Sequence, residues 1–184
     1  MAAGVIANTY GHALFELAVE QDEIDSFLEE AGVIKNVLES NPDFQKLLTH
    51  PRVDVDKKIH IVESRFSGKV SDDMTGFLVI LVQNNRQKEI IAALDEFTAE
   101  VKEYRRIGVC RVVSALELTG QQKERLEKRI LETTGYQSLE TDYRTDRNLI
   151  GGLTIQIGDR VLDSSIRTQL NELQKSLQQV SIDE

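Results

Sequence analysis

The residues Asp163-Ser164-Ser165 stand where the sequence could most readily do chemistry: a serine close to an acid, just ahead of a helix-like run. Acyl transfer would use the serine hydroxyl as nucleophile, and it needs a general base to take the proton. The three histidines, His12, His50 and His60, all lie far upstream, and the GxSxG turn is absent. The structural alternative is that Asp163, Ser164 or Ser165 caps the closing helix by accepting hydrogen bonds from its first N–H groups. A cap is required at such a boundary in any case. Capping is therefore the expectation, with a serine hydrolase as the rival.

Gly151-Gly152 invites a second chemical reading, a phosphate loop. A P-loop carries a lysine after its glycine turn, and a dinucleotide turn has GxGxxG opening a helix. Here the glycines lead into Leu153-Thr154-Ile155-Gln156-Ile157, an alternating strand pattern, so no helix N-terminus is offered to an anion. Paired glycines at a strand entrance predict a bulge or a close backbone approach. Gly158-Asp159 predicts a hairpin turn into a short return strand at Val161 and Leu162. Asp54, Asp56, Asp72 and Asp73 lack the alternating-ligand pattern of a calcium loop and stand at helix starts, where carboxylates complement the helix dipole. The histidines form no HExxH. Cys110, the single cysteine, reads as a small core residue in a β-rich run. Neither a metal nor a cofactor is expected.

The elements that carry these residues fall into two parts. Up to about residue 106 the apolar residues recur at helical spacing. Ile6, Tyr10, Ala13, Leu14, Leu17 and Ala18 make one stripe; Ile24, Phe27, Leu28, Ala31, Ile34 and Leu38 make the next. Ser40-Asn41-Pro42 supplies capping side chains and a first-turn proline, and His50-Pro51 ends a short third helix. Further stripes at Ile59–Val62–Phe66, Phe77–Leu81 and Ile90–Tyr104 bring the number to six, and their short connections favour a compact bundle. From Gly108 the period changes to β. Thr119 and Gln122 have capping-box spacing ahead of Leu126, Ile130 and Leu131, in a helix expected to end near Gly135. Leu139, Thr141 and Tyr143 alternate, and Ile166, Leu170, Leu173 and Leu177 form a closing amphipathic helix. The fold class is thus an N-terminal six-helix bundle (1–106) followed by a smaller α/β C-terminal domain (107–184).

Composition narrows the function. Hydrophobic residues at 40% and charged residues at 29% describe an ordinary globular chain. No run approaches the ~18 apolar residues of a membrane span, and the start lacks the pattern of a cleaved signal. Net charge is −9, and it is concentrated in the first 106 residues, with 12 Lys+Arg against 19 Asp+Glu. Such a surface repels a phosphate backbone, so nucleic acid is not an expected partner. Small residues Ala7, Gly11 and Ala13 on the first helix, and Gly76 beside Phe77, Ile80 and Leu81 on the fifth, would let another helix approach. The pattern is compatible either with a binding groove or with ordinary packing.

Three stretches match a known family in order and spacing. They are Tyr10-Gly11-His12-Ala13-Leu14-Phe15-Glu16-Leu17-Ala18; Asn85-Arg86 before the long helix that runs into VVSALELTGQQ; and LIGGLTIQIGDRVLDSSIRTQL. On these the chain resembles the delta subunit of bacterial and plastid F-type ATP synthases, which is similar to the mitochondrial oligomycin-sensitivity-conferring protein. Ser164 replaces a usual glycine, and Arg147 stands where a proline is frequent; neither removes an element. The resemblance implies no chemistry in this subunit. It implies a stator part joining the catalytic head to the peripheral stalk, on the cytoplasmic face of a bacterial membrane or the stromal face of a thylakoid. It also implies that the N-terminal helix of an alpha subunit sits between the first and fifth helices, on Tyr10, Ala13, Leu14, Leu17, Phe77, Ile80 and Leu81. The C-terminal domain would meet the b subunits of the stalk, with the closing helix as candidate surface. Gly151, Gly152, Gly158, Asp159, Asp163 and Ser165 are then architecture.

Overall fold

The structure is a computed structural model that describes residues 2–158 and 160–170. Backbone contacts divide the chain into two compact units, with the division between Val101 and Lys102. The first is built from α1 (Ala2–Glu20), α2 (Ile24–Ser40), α3 (Pro42–Thr49), α4 (Val55–Phe66), α5 (Asp72–Gln83) and α6 (Ile90–Tyr104), the last introduced by a 3-10 turn at Gln87–Glu89. The longer helices bury stripes at three- and four-residue spacing, as α2 does with Phe27, Ala31, Ile34 and Leu38, and the short α3 buries Leu48. These stripes meet in one core that includes Leu14, Phe66, Met74, Leu81, Leu94 and Phe97. Each such side chain stabilises the folded unit by about 1.5–3 kcal/mol through burial.

The helix ends are set by local chemistry. Asp22 and Asn85 take left-handed backbone (φ +56 in both) in the turns that follow α1 and α5, a conformation short polar side chains tolerate. Ser71 caps α5, its Oγ accepting from Met74 N–H at 3.3 Å. The Ser71 cap is itself held by Glu30 of α2, which accepts from Ser71 N–H at 3.0 Å and from its hydroxyl at 2.7 Å. One expectation is corrected here. Asn41 does not cap α3 with its side chain; its amide donates backwards to Val37 O at 2.8 Å and closes α2 instead. With φ −127 and ψ 76 at Asn41, the side chain finds the orphan carbonyls behind it, and Pro42 already removes one orphan donor ahead.

The second unit holds a four-stranded mixed sheet. Its elements are β1 (Ile107–Ser114), α7 (Gly120–Thr133), β2 (Ser138–Thr145), a 3-10 turn (Arg147–Leu149), β3 (Leu153–Ile157) and β4 (Arg160–Asp163). A closing helix, α8, opens at Ile166 and is described over 166–170; Leu173 and Leu177 lie outside the described residues. The strand order is β2-β1-β3-β4. β1 and β2 are parallel, the pairing that needs a crossover, and α7 supplies it. β1–β3 and β3–β4 are antiparallel. Cys110 and Val112 of β1 and Ile155 of β3 point to the same side as Ile130 of α7 and make the core. α7 opens on a reciprocal capping box, Thr119 N–H to Gln122 Oε1 at 2.9 Å and Gln122 N–H to Thr119 Oγ1 at 3.4 Å. It ends at Thr133, two residues short of Gly135. The whole is mostly helical, with a small sheet towards the C-terminal end.

Candidate functional site

Two places hold the residues singled out above: a trough between α1 and α5 in the first unit, and a backbone corner in the second. α1 and α5 run antiparallel. At one end Gln21, just past α1, donates to Asp73 Oδ2 at 3.1 Å; towards the other, Asn84 donates to the Tyr10 hydroxyl at 3.2 Å. Between these points the Tyr10 ring meets Phe77 edge-on, 6.5 Å between centroids at 72°. That geometry is the preferred one for aromatic pairs and adds about 0.5–1.5 kcal/mol beyond burial.

The seven residues expected to line a groove separate into two layers. Leu14 (2% exposed) and Leu81 (0%) belong to the core, and Phe77 (9%) offers only an edge. Tyr10 and Leu17 are half-buried, Ala13 is exposed, and Ile80 leaves 49% of its surface open. The upper layer is therefore Tyr10, Ala13 and Leu17 on α1 facing Ile80 on α5, with Leu14 and Leu81 supporting it from beneath. At Gly76 an added Cβ would meet nothing within 4 Å, so the α5 wall stands clear there. The small residues of α1 do not act together. Gly11 turns to α6, where an added Cβ would lie 2.7 Å from Glu96 Cβ and 2.8 Å from Ala93 O, and it serves packing; Ala13 faces outward. Beside Gly11, His12 Nδ1 bonds the Glu100 carboxylate at 2.9 Å, tying α1 to α6. Glu100, first by hydrogen bonding and then by charge, holds the imidazole pKa above its usual value.

The corner around Ser165 is fully wired. Ser165 is 1% exposed and sits at the start of α8. Its Oγ accepts from Thr168 N–H at 3.3 Å and donates to Thr168 Oγ1 at 3.2 Å, which in turn donates to Asp163 Oδ2 at 2.7 Å. Asp163 Oδ1 also accepts from Ser165 N–H at 2.8 Å. That backbone bond, followed by the Thr168 hydroxyl, pulls the Asp163 carboxyl down to about 2. Asp163 is thus an ionised acceptor at neutral pH, and Ser165 is a helix cap whose partners are Thr168 and Asp163. No histidine or lysine shares this network among the described residues. A buried hydroxyl without a base is not a nucleophile.

Gly152 explains why two glycines stand at this corner. It takes φ +80, and a Cβ there would run into Ser164 O and lie 3.0 Å from Ser165 Cα. The backbone of 164–165 passes directly over it, with Ser164 N–H donating to Leu153 O and Ile166 N–H to Gly151 O, both at 3.0 Å. Gly158 takes φ +52 between paired Ile157 and Arg160, the tight link of the β3–β4 hairpin; Asp159 lies outside the described residues. Cys110 is fully buried, and desolvation raises its thiol pKa, which keeps it protonated and inert. Asn84, Thr168 and Glu30 were not anticipated. Thr168 had a local signal, three residues past the cap; the partners of Asn84 and Glu30 are 74 and 41 residues away and leave no trace in short-range spacing.

A helical unit with an open apolar trough and a sheet unit whose serine and glycines serve the backbone have the build of an interaction subunit. Comparison with known proteins agrees. Residues 6–177 match the family model described as ATP synthase delta (OSCP) subunit. The chain is 43% identical over 180 residues to the ATP synthase subunit delta of Lachnoclostridium phytofermentans, covering 98% of this chain and 99% of that one. It is 36% identical to the same subunit of Halalkalibacterium halodurans (96% and 97% covered) and 30% identical to that of Prochlorococcus marinus subsp. pastoris (94% and 96%). In fold it is similar to a chain of the Toxoplasma gondii mitochondrial ATP synthase hexamer, with a TM-score of 0.71, 20% identity, and 93% and 96% of the two chains covered. The chain belongs to the ATP synthase delta (OSCP) subunit family. It is a structural subunit of the F-type ATP synthase stator and carries no catalysis of its own.

Proposed function

We propose that the two units are the two ends of a joint. Residues 1–106, as a six-helix bundle, grip the N-terminal helix of an alpha subunit in the α1–α5 trough. Residues 107–184 hold the C-terminal ends of the b subunits, with α8 as the contact surface. The subunit works on the cytoplasmic face of a bacterial membrane, or its thylakoid equivalent, without spanning the bilayer; no helix among the described residues is long and apolar enough to cross one.

The observation that carries this reading is the exposure of Ile80 opposite Ala13 and Leu17, above a closed core. An apolar stripe at helical spacing on each wall fits an amphipathic helix that offers i, i+3 and i+4 anchors. Mechanically the joint must hold still. Rotor torque does work on the head only if the head cannot follow the rotor. Burial in a close-fitting trough acts chiefly on the dissociation rate, which is the quantity a static joint needs to keep small.

The test is retention of the catalytic head on membranes stripped of this subunit and rebuilt with purified protein. Wild type should restore retention, and Ala13→Glu should fail to, while circular dichroism shows the variant folded. Retention by Ala13→Glu equal to wild type would remove the trough from the joint.

A further inference from the structure

The trough is not uniform along its length. Asp73 lies two turns before Ile80 on the trough side of α5, and on the rim of α1 Glu16 and Glu20 stand one turn after Ala13 and Leu17 respectively. The Gln21–Asp73 bond brings the end of α1 to the start of α5, so Asp73 and Glu20 share one end, with Glu16 one turn further back on α1. Glu20 is exposed and makes no hydrogen bond or ion pair with any described residue; Glu16 has only His12, at 3.6 Å. At the opposite end the trough-side residues among those described are uncharged: Thr9 bonds its own helix at Val5 O, and Asn84 bonds Ile80 O and the Tyr10 hydroxyl.

An apolar helix laid in this trough therefore meets carboxylate at one end and amide and hydroxyl at the other. We infer that the trough selects a polarised occupant, an amphipathic helix carrying lysine or arginine at one end, and docks that cationic end beside Asp73 and Glu20. This rests on the trough being the docking site and adds the occupant's orientation and charge pattern. Apolar contacts are direction-tolerant, since leucine-like anchors at i, i+3 and i+4 fit a trough read either way. Charge at the rim breaks that degeneracy, steers the encounter and penalises the reversed pose. The overall acidity of the unit does not account for it, because a uniform field would attract a cation without choosing an end.

The test uses the full chain and two synthetic helical peptides with the same apolar stripe, one with three lysines at its N-terminal end and one with them at its C-terminal end. Each carries a spin label at its lysine end, and a second label sits on a cysteine introduced at Gln83 of a Cys110→Ser background. Calorimetric titration gives affinity; double electron resonance gives the distance. Both peptides should dock with the lysine end far from residue 83, hence in opposite chain directions. Glu20→Gln combined with Asp73→Asn should weaken both by roughly three- to tenfold at low salt and flatten the salt dependence, whereas Glu63→Gln on α4 should change neither. If the double variant binds as tightly as wild type, or both peptides keep one chain direction, the polarity is wrong while the trough stands. If Ile80→Asp leaves affinity untouched, the trough itself is not the site and the inference falls with it.

Discussion

At Gly152 the folded backbone leaves no room for a side chain. Its φ of +80 already disfavours an L residue, and an added Cβ would overlap the carbonyl of Ser164, which is main chain and cannot swing away. Gly152→Ala is expected to destabilise the second unit by about 2–4 kcal/mol, as strain at a special backbone position does, read by urea unfolding followed in the far ultraviolet. Gly158→Ala makes the useful contrast. It also has positive φ but nothing within 4 Å of the new Cβ, so only the backbone cost of about 1–2 kcal/mol should appear. Asp163 gives a pH signature to the same corner. Its folded pKa, about 2, lies below the ordinary 3.8, so its contribution is complete above pH ~4 and is lost as the pH falls towards 2. Asp163→Asn should flatten the acid limb of the stability profile over that window. An unchanged limb would mean that Ser165 N–H and the Thr168 hydroxyl do not stabilise the ionised form.

At the scale of the helix pair, burial separates support from contact. Leu81 has no exposed surface and Ile80 is half open, one residue apart on α5. Leu81→Ala should cost about 2–5 kcal/mol of stability, the usual range for emptying a core site. Ile80→Ala should cost far less and should weaken partner binding directly. Thermal melts of the two variants, set beside a binding titration, check the separation; equal melting losses would contradict it. The His12–Glu100 bond between α1 and α6 has the opposite pH sign to Asp163. Its pKa is raised, so its contribution is full below pH ~6.5 and fades as pH rises through the folded value. His12→Gln should remove that alkaline drift without moving the acid limb. Much of this layout was legible in the sequence. The 3.6-residue stripes of α2 and α6, the Thr119–Gln122 box and the alternation of Leu153, Ile155 and Ile157 are local patterns, and local patterns survive in a linear string. What failed to show was long-range. Asn41 faces backwards because the orphan carbonyls of α2 compete for its amide. Gly11 faces α6 although it shares a stripe of small residues with Ala13. Leu14 and Leu81 are groove residues by the family resemblance, and only the packed helices show that they lie a layer beneath it.

At the scale of the whole molecule, the protein is a structural subunit of the ATP synthase that carries no catalysis of its own, and in the function proposed above it transmits force between two partners. Its reactive-looking residues are occupied with the backbone: Ser165 caps α8, Asp163 receives the cap's N–H, and Gly152 lets two chain segments cross. Its open apolar surface in the first unit is where a partner can be held. The most direct measurement of this claim is ATP-driven proton pumping by membranes depleted of the subunit and rebuilt with it. Rebuilding with wild type should restore pumping, and rebuilding with Ile80→Asp should leave ATP hydrolysis running while pumping stays low. Full pumping by depleted membranes that have received no protein at all would contradict the account.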